Sequence, residues 1–321
     1  MKRRNWFAGF SARKQARSRF GAVALLAAFV LSPCAGFAHP PSGIVVDQQG
    51  RVYFLYHGLV RIESSGQLST IDENTGGHWM ALVTNGAVPA GNLGPYKKVL
   101  ADGNTLLYGD GAPLAMDEDG SLFYGSNGAR AELFPAGALA VAKLSANGQR
   151  SLFSPALKDK LAEFGDGVTA LTVSPNGFVY VATWKGFAKL KPDGSIAKMV
   201  YPLTVDDCDR DPADHNPANA ASPFFRGIAV DAAGNVYLAA TSCHRVLKVG
   251  ADGKVSTLLK SERPWTPTGI TLRGQDVYVL EYTNANGPRT EGWYPRVRRI
   301  AKDGVVQTVV TVNPPGVGGP Q

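Results

Sequence analysis

From Gly43 onward the apolar residues fall in short runs, and glycine-bearing turns separate the runs at regular intervals. One unit reads Gly43-Ile44-Val45-Val46-Asp47-Gln48-Gln49-Gly50-Arg51-Val52-Tyr53, a β run, a tight turn and a second β run. The string returns as Gly227-Ile228-Ala229-Val230-Asp231-Ala232-Ala233-Gly234-Asn235-Val236-Tyr237. It recurs at Leu114–Phe123, at Leu171–Tyr180 and, one residue shorter, at Gly269–Tyr278, with a weaker copy from Met80. These first turns carry Gly50, Gly86, Gly120, Gly177, Gly234 and Gly274. A second series, expected between a third and a fourth run, carries Gly66, Gly103, Gly148, Gly194, Gly253 and Gly304. Asp-Gly and Asn-Gly dipeptides at several of these turns supply the positive φ that hairpins need. No long segment has the 3.6-residue period of an amphipathic helix.

Both series give six units of about 47 residues, near the ~40–45 of known propeller repeats. A lone four-stranded unit cannot bury both of its faces; stacking units in a ring can. The pattern predicts an all-β chain, a six-bladed β-propeller of four-stranded blades. One domain is expected over 39–321, with blades near 43–72, 78–108, 112–155, 167–202, 224–260 and 267–312. No spare strand at either end offers itself as a latch for the ring. At 44% hydrophobic and 18% charged residues, the composition excludes wholesale disorder.

Charge changes the picture only at the N-terminus. The formal net charge is +7, but residues 1–38 hold seven basic residues and no acid, which leaves 26 of each sign beyond them. The mature chain therefore carries no electrostatic footprint for nucleic acid. A basic stretch to Arg19, an apolar run from Gly21 to Leu31 and small residues at Gly36 and Ala38 read as an export signal cleaved before His39. The apolar run is too short to span a bilayer, so a secreted or periplasmic protein with no membrane span after cleavage is expected. Leu31-Ser32-Pro33-Cys34 suggests lipoprotein anchoring at Cys34 as the alternative, although Pro33 departs from that motif. After cleavage Cys208 and Cys243 remain, an even pair suited to a disulfide in an oxidising compartment.

Pro267-Thr268-Gly269-Ile270 and the run Gly227–Tyr237 resemble NHL repeats, and the set resembles the wider SMP-30/gluconolactonase-like propellers across most of 43–312. That resemblance implies an axial channel lined by the first strand of each blade, with a site at its mouth. The residues just before those strands are Ser42, His78, Ala112, Thr169, Arg226 and Thr268. In the lactonases this ring carries carboxylates and an asparagine that hold a divalent cation. Here none of the six is a carboxylate, and Asp166-Gly167 falls three residues too early.

The ring offers instead a guanidinium for a carboxylate or phosphate and an imidazole that can serve as acid, base or ligand. Glu281 and Tyr282 interrupt the apolar run Val277–Leu280. Glu281 is thus a candidate proton acceptor, a partner for Arg226, or one half of a structural ion pair. An insertion at Val205–Pro223 groups Asp206, Asp207, Asp209, Asp211 and Asp214 around Cys208. Asp207, Asp209 and Asp211 alternate as calcium ligands do, although the loop lacks the glycine and glutamate of an EF-hand and also reads as a solvated acidic loop. His39, as a new N-terminus, is a weak copper candidate. A second insertion, Asn284–Pro295, puts Trp293 with Trp265 at a pocket edge or under the loops.

These readings predict an exported binding module with its site at the channel mouth, taking a small anionic molecule or peptide. Arg226, Thr169, Thr268, Tyr282 and Ser42 are its expected contacts. The alternatives are a lactonase-like hydrolase or lyase with Glu281 or His78 as base, and a protein-interaction scaffold that uses its outer loops.

Overall fold

The computed structural model describes residues 40–313 other than 64, 74–76, 85–86, 95, 111, 126–139, 165–166, 207, 209–222 and 285–292. The predicted leader lies outside these residues. Each repeat unit becomes one antiparallel sheet, and the six sheets form a six-bladed β-propeller. Blade one holds β1 (Ile44–Val46), β2 (Val52–Leu55), β3 (Leu59–Ile62) and β4 (Leu68–Asp72). Blade two holds β5 (Trp79–Val83), β6 (Tyr96–Ala101) and β7 (Asn104–Gly109). Blade three holds β8 (Leu114–Met116), β9 (Leu122–Gly125), β10 (Val141–Leu144) and β11 (Arg150–Leu152), and is followed by the helix α1 (Pro155–Phe164). Blade four holds β12 (Val168–Val173), β13 (Val179–Thr183), β14 (Phe187–Leu190) and β15 (Ile196–Val200). Blade five holds β16 (Phe225–Val230), β17 (Val236–Ala240), β18 (Arg245–Val249) and β19 (Val255–Lys260). Blade six holds β20 (Thr266–Arg273), β21 (Asp276–Asn284), β22 (Trp293–Ile300) and β23 (Val306–Thr311).

The repeated turn explains the repeated sequence. Asp47 accepts a hydrogen bond from the Arg51 amide (2.8 Å), Asp117 from Ser121 (2.7 Å) and Asp231 from Asn235 (2.8 Å), while the Ser174 hydroxyl accepts from Phe178 (3.1 Å). Three residues after each of these, Gly50, Gly120, Gly234 and Gly177 take φ of 86°, 80°, 81° and 77°, a conformation that penalises a Cβ. A short polar side chain and a glycine thus close every such hairpin locally, before any blade meets another.

Packing is distributed around the ring. Six separate apolar clusters occupy the six seams between neighbouring blades, from Val45, Tyr53 and Tyr108 between blades one and two to Phe54, Leu280 and Val297 between six and one. Second strands are wedged between two seams, so β2, β9, β13 and β17 are buried at every position. This is why they read as continuous apolar runs rather than alternating ones. The first strands pack side by side in chain order, and β20 returns to β1. Each blade is built from one contiguous stretch of chain, so the closing seam has packing and hydrogen bonds but no exchanged strand.

Blade two departs from the expected pattern. Among the described residues it has three strands in the order β5-β7-β6, and β5 pairs directly with β7. No strand follows β5, because the chain there carries Pro89, Gly91, Gly94 and Pro95, residues poorly suited to a central strand. This stretch instead crosses to blade three, where the Ala90 amide donates to Ala146 (3.0 Å) and Arg150 donates to the Asn92 carbonyl (2.7 Å). Gly103 therefore turns the chain from the outer strand to the middle one, not from a third strand to a fourth.

Cys208 and Cys243 form a disulfide across a separation of 35 residues, with Cys243 buried in the seam between blades four and five. Reducing it is expected to lower the unfolding free energy by about 3–4 kcal/mol through the freed loop of the unfolded chain. Denaturant titrations with and without reductant measure this, and an unchanged midpoint would count against it.

Candidate functional site

The first strands of blades four, five and six each begin with a β-bulge. Pairing with the second strand skips from Val168 to Ala170, from Phe225 to Gly227 and from Pro267 to Gly269. The skipped residues are Thr169, Arg226 and Thr268, three of the predicted ring positions. A bulge leaves its extra residue out of the ladder and re-aims its side chain. Each here reaches a backbone carbonyl on the neighbouring inner segment: Thr169 donates to Phe225, Arg226 to Pro40 and Thr268 to Pro41, the last at 2.8 Å. Close approach makes this possible, since a Cβ on Gly269 would stand 2.3 Å from the Ser42 carbonyl oxygen.

The other ring positions join the same belt. The amides of Ser42 and Gly43 donate to the His78 carbonyl at 2.8 and 2.9 Å. Trp79 Nε1 reaches past blade three to the Thr169 carbonyl at 3.3 Å, and Tyr96 donates to the carbonyl of Ala112 at 3.2 Å. All six predicted ring residues are buried. Ser42 Oγ is also buried and has no hydrogen-bond partner.

Arg226 is the charged member of this belt that also lines the channel. Burial pushes its pKa down to about 10, with the charge of Tyr282 opposing, so it stays a cation at neutral pH. Tyr282 is held well above the usual phenol value by burial and donates its hydroxyl to the Leu55 carbonyl across the closing seam. His78 pairs through Nδ1 with Asp110. The sequence does not single out Asp110, because the direct pairing of β5 with β7 brings it beside His78 and a regular four-stranded blade would not.

Glu281 lies apart from the channel. It is fully buried between blades five and six, accepting from the Ser261 hydroxyl and from Arg296 Nε at 2.7 Å. Its partner is thus Arg296, its cross-strand neighbour on β22, and not Arg226. Arg296 also pairs with Glu262 and stacks on Trp265 at 4.3 Å. Desolvation works against its charge, yet the bonds from Glu262 and Glu281 raise its pKa. Trp293 packs into the seam between blades six and one. His39, Asp207, Asp209 and Asp211 lie outside the described residues. Among the described residues no cluster of three or more His, Cys, Asp and Glu is placed to hold a metal.

Along the axis runs a cavity of about 410 Å³, lined by the first strands of all six blades. Its volume falls in the ~300–1,000 Å³ range of small-molecule sites. Ser42, Trp79 and Arg226 line it at the strand-start end, where each is buried or half-buried. At the hairpin-turn end the lining includes Thr84, Glu118 and Pro175, which are exposed.

Arg296→Met is expected to destabilise the fold by about 3–5 kcal/mol, because it leaves the Glu281 carboxylate buried without its partner. The double variant Glu281→Met/Arg296→Met should recover most of that loss. Chemical denaturation of the three proteins checks this, and a mild single variant would show that the pair does not hold blade six to blade five.

No protein-family model matches the chain, and no curated protein matches its sequence. The NHL resemblance therefore has no family match behind it. Solved structures do match. A streptogramin B lyase structure aligns with TM-score 0.51 and 13% identity over 85% of this chain and 84% of that one. The virginiamycin B lyase of Staphylococcus aureus aligns with TM-score 0.48 and 12% identity over 85% of each chain. A gluconolactonase of Xanthomonas campestris aligns with TM-score 0.35 and 16% identity over 74% of this chain and 67% of that one. At such identities the likeness is one of fold, carried by the first of the three: the chain is similar to lyase and lactonase-like propellers in the architecture of its blades.

Proposed function

We propose that the chain is an exported binding propeller that holds a small anionic molecule in its axial cavity, with the anion at Arg226. The carrying observation is the position of that guanidinium: a bulge aims it, burial desolvates it, and it lines the cavity beside the unpartnered hydroxyl of Ser42. A few convergent polar groups at one end of an otherwise apolar cavity are the usual form of a ligand site. The disulfide and the leader-like N-terminus support export. No helix among the described residues is long and apolar enough to cross a membrane.

A second reading, a hydrolase or lyase, draws on one observation. Asp110 orients the imidazole of His78 through Nδ1, as a carboxylate orients a general base. On this reading His78 takes the proton and Glu281 keeps a structural role.

A thermal-shift series on the exported protein separates these readings. Small carboxylates should raise Tm in proportion to their occupancy, and Arg226→Gln should abolish the response while His78→Ala keeps it. Turnover of a lactone or ester lost in His78→Ala would favour the enzyme. Silence toward every small molecule would overturn the binding proposal and leave a scaffold that works through its outer loops.

A further inference from the structure

Building on the reading that Arg226 anchors an anion, we infer that the ligand is a slim monocarboxylate with an apolar body, lying along the channel with its carboxylate inward and its tail toward the hairpin-turn face.

The channel wall is ordered along its length. Beyond Arg226 the lining side chains are apolar and buried, as at Ile44, Met80, Leu114, Ile228 and Ile270. Nearer the turns come the half-buried Leu82, Met116, Val173 and Leu272, and only there does the wall carry further charge, from Asp117 and Glu118. Between the guanidinium and that rim no charged side chain lines the cavity among the described residues. One end is thus cationic and buried, the middle is apolar, and the outer end is acidic and open.

Each part of this order selects. The inner end takes one carboxylate, with Ser42 Oγ as an additional hydrogen-bond donor. The middle rewards methylenes by removing them from water. Each first strand is also the edge of its sheet, so peptide groups share the wall with the side chains and the reward is smaller than in pure hydrocarbon. The rim disfavours a second carboxylate: Glu118 is exposed there, and Asp117 keeps its position through the Ser121 amide and Lys143. A like charge set against the wrong ligand is a common source of specificity.

The test is a calorimetric titration of the exported protein with acetate, butyrate, hexanoate, octanoate and octanedioate. Affinity should rise about two- to fourfold per added methylene from acetate to octanoate, and octanedioate should bind at least tenfold more weakly than octanoate. Arg226→Gln should abolish binding of the whole series. Met116→Glu, at the half-exposed rim, should weaken octanoate several-fold and leave acetate unchanged, which keeps the test alive if the Arg226 variant fails to fold. Equal affinity for acetate and octanoate, with both lost in Arg226→Gln, would overturn the apolar sleeve and leave the anchor standing. Octanedioate binding as well as octanoate would overturn the proposed direction. Absence of binding, or binding indifferent to Arg226→Gln, would overturn the anchor as well.

Discussion

Three side chains displaced by bulges hold the centre of this molecule together. In an ordinary strand Thr169, Arg226 and Thr268 would face a neighbouring blade and disappear into a seam. Skipped by the ladder, they turn toward carbonyls of the next inner segment. Two of those carbonyls belong to Pro40 and Pro41, so the start of blade one is gripped from blades five and six at once. Around an axis where every strand is a sheet edge, such bonds satisfy polar groups that have no partner strand. The geometry that ties the belt also places a cation beside the axial cavity. Architecture and chemistry therefore share the same three residues.

The seams supply the remaining cohesion. Each is a separate apolar cluster of side chains from two blades, and no single cluster dominates. Burial of aromatic rings such as Tyr53, Phe54, Tyr108 and Phe225, each worth about 1.5–3 kcal/mol, is spread around the ring. Polar pairs such as Glu281 with Arg296 add register within a seam rather than cohesion, since desolvation offsets much of their attraction.

Much of this was legible in the residues. The turn motif repeats because one local device, a short polar side chain followed by glycine, closes each hairpin, and local devices leave regular traces in a sequence. The channel positions followed from that register, and the cysteine pairing from compartment and count. Blade two was not legible: a repeat counted by turns cannot reveal that a strand is missing, although Pro89 and Pro95 were a signal. The same irregularity hid Asp110. The bulges were invisible because an extra residue before a strand leaves no compositional mark. Arg296 escaped because the pairing of β21 with β22 spans an insertion whose length conceals the register.

The uninterrupted derivation of every blade from its own stretch of chain has a mechanical meaning. Blades one and six meet as two finished pieces, joined by Tyr282 reaching Leu55, Arg273 reaching Gln48 at 3.2 Å, and the side chains between them. The ring is cut like a split washer: it can spring apart at this one joint without tearing any sheet, whereas parting any other joint must also stretch the chain that threads through it.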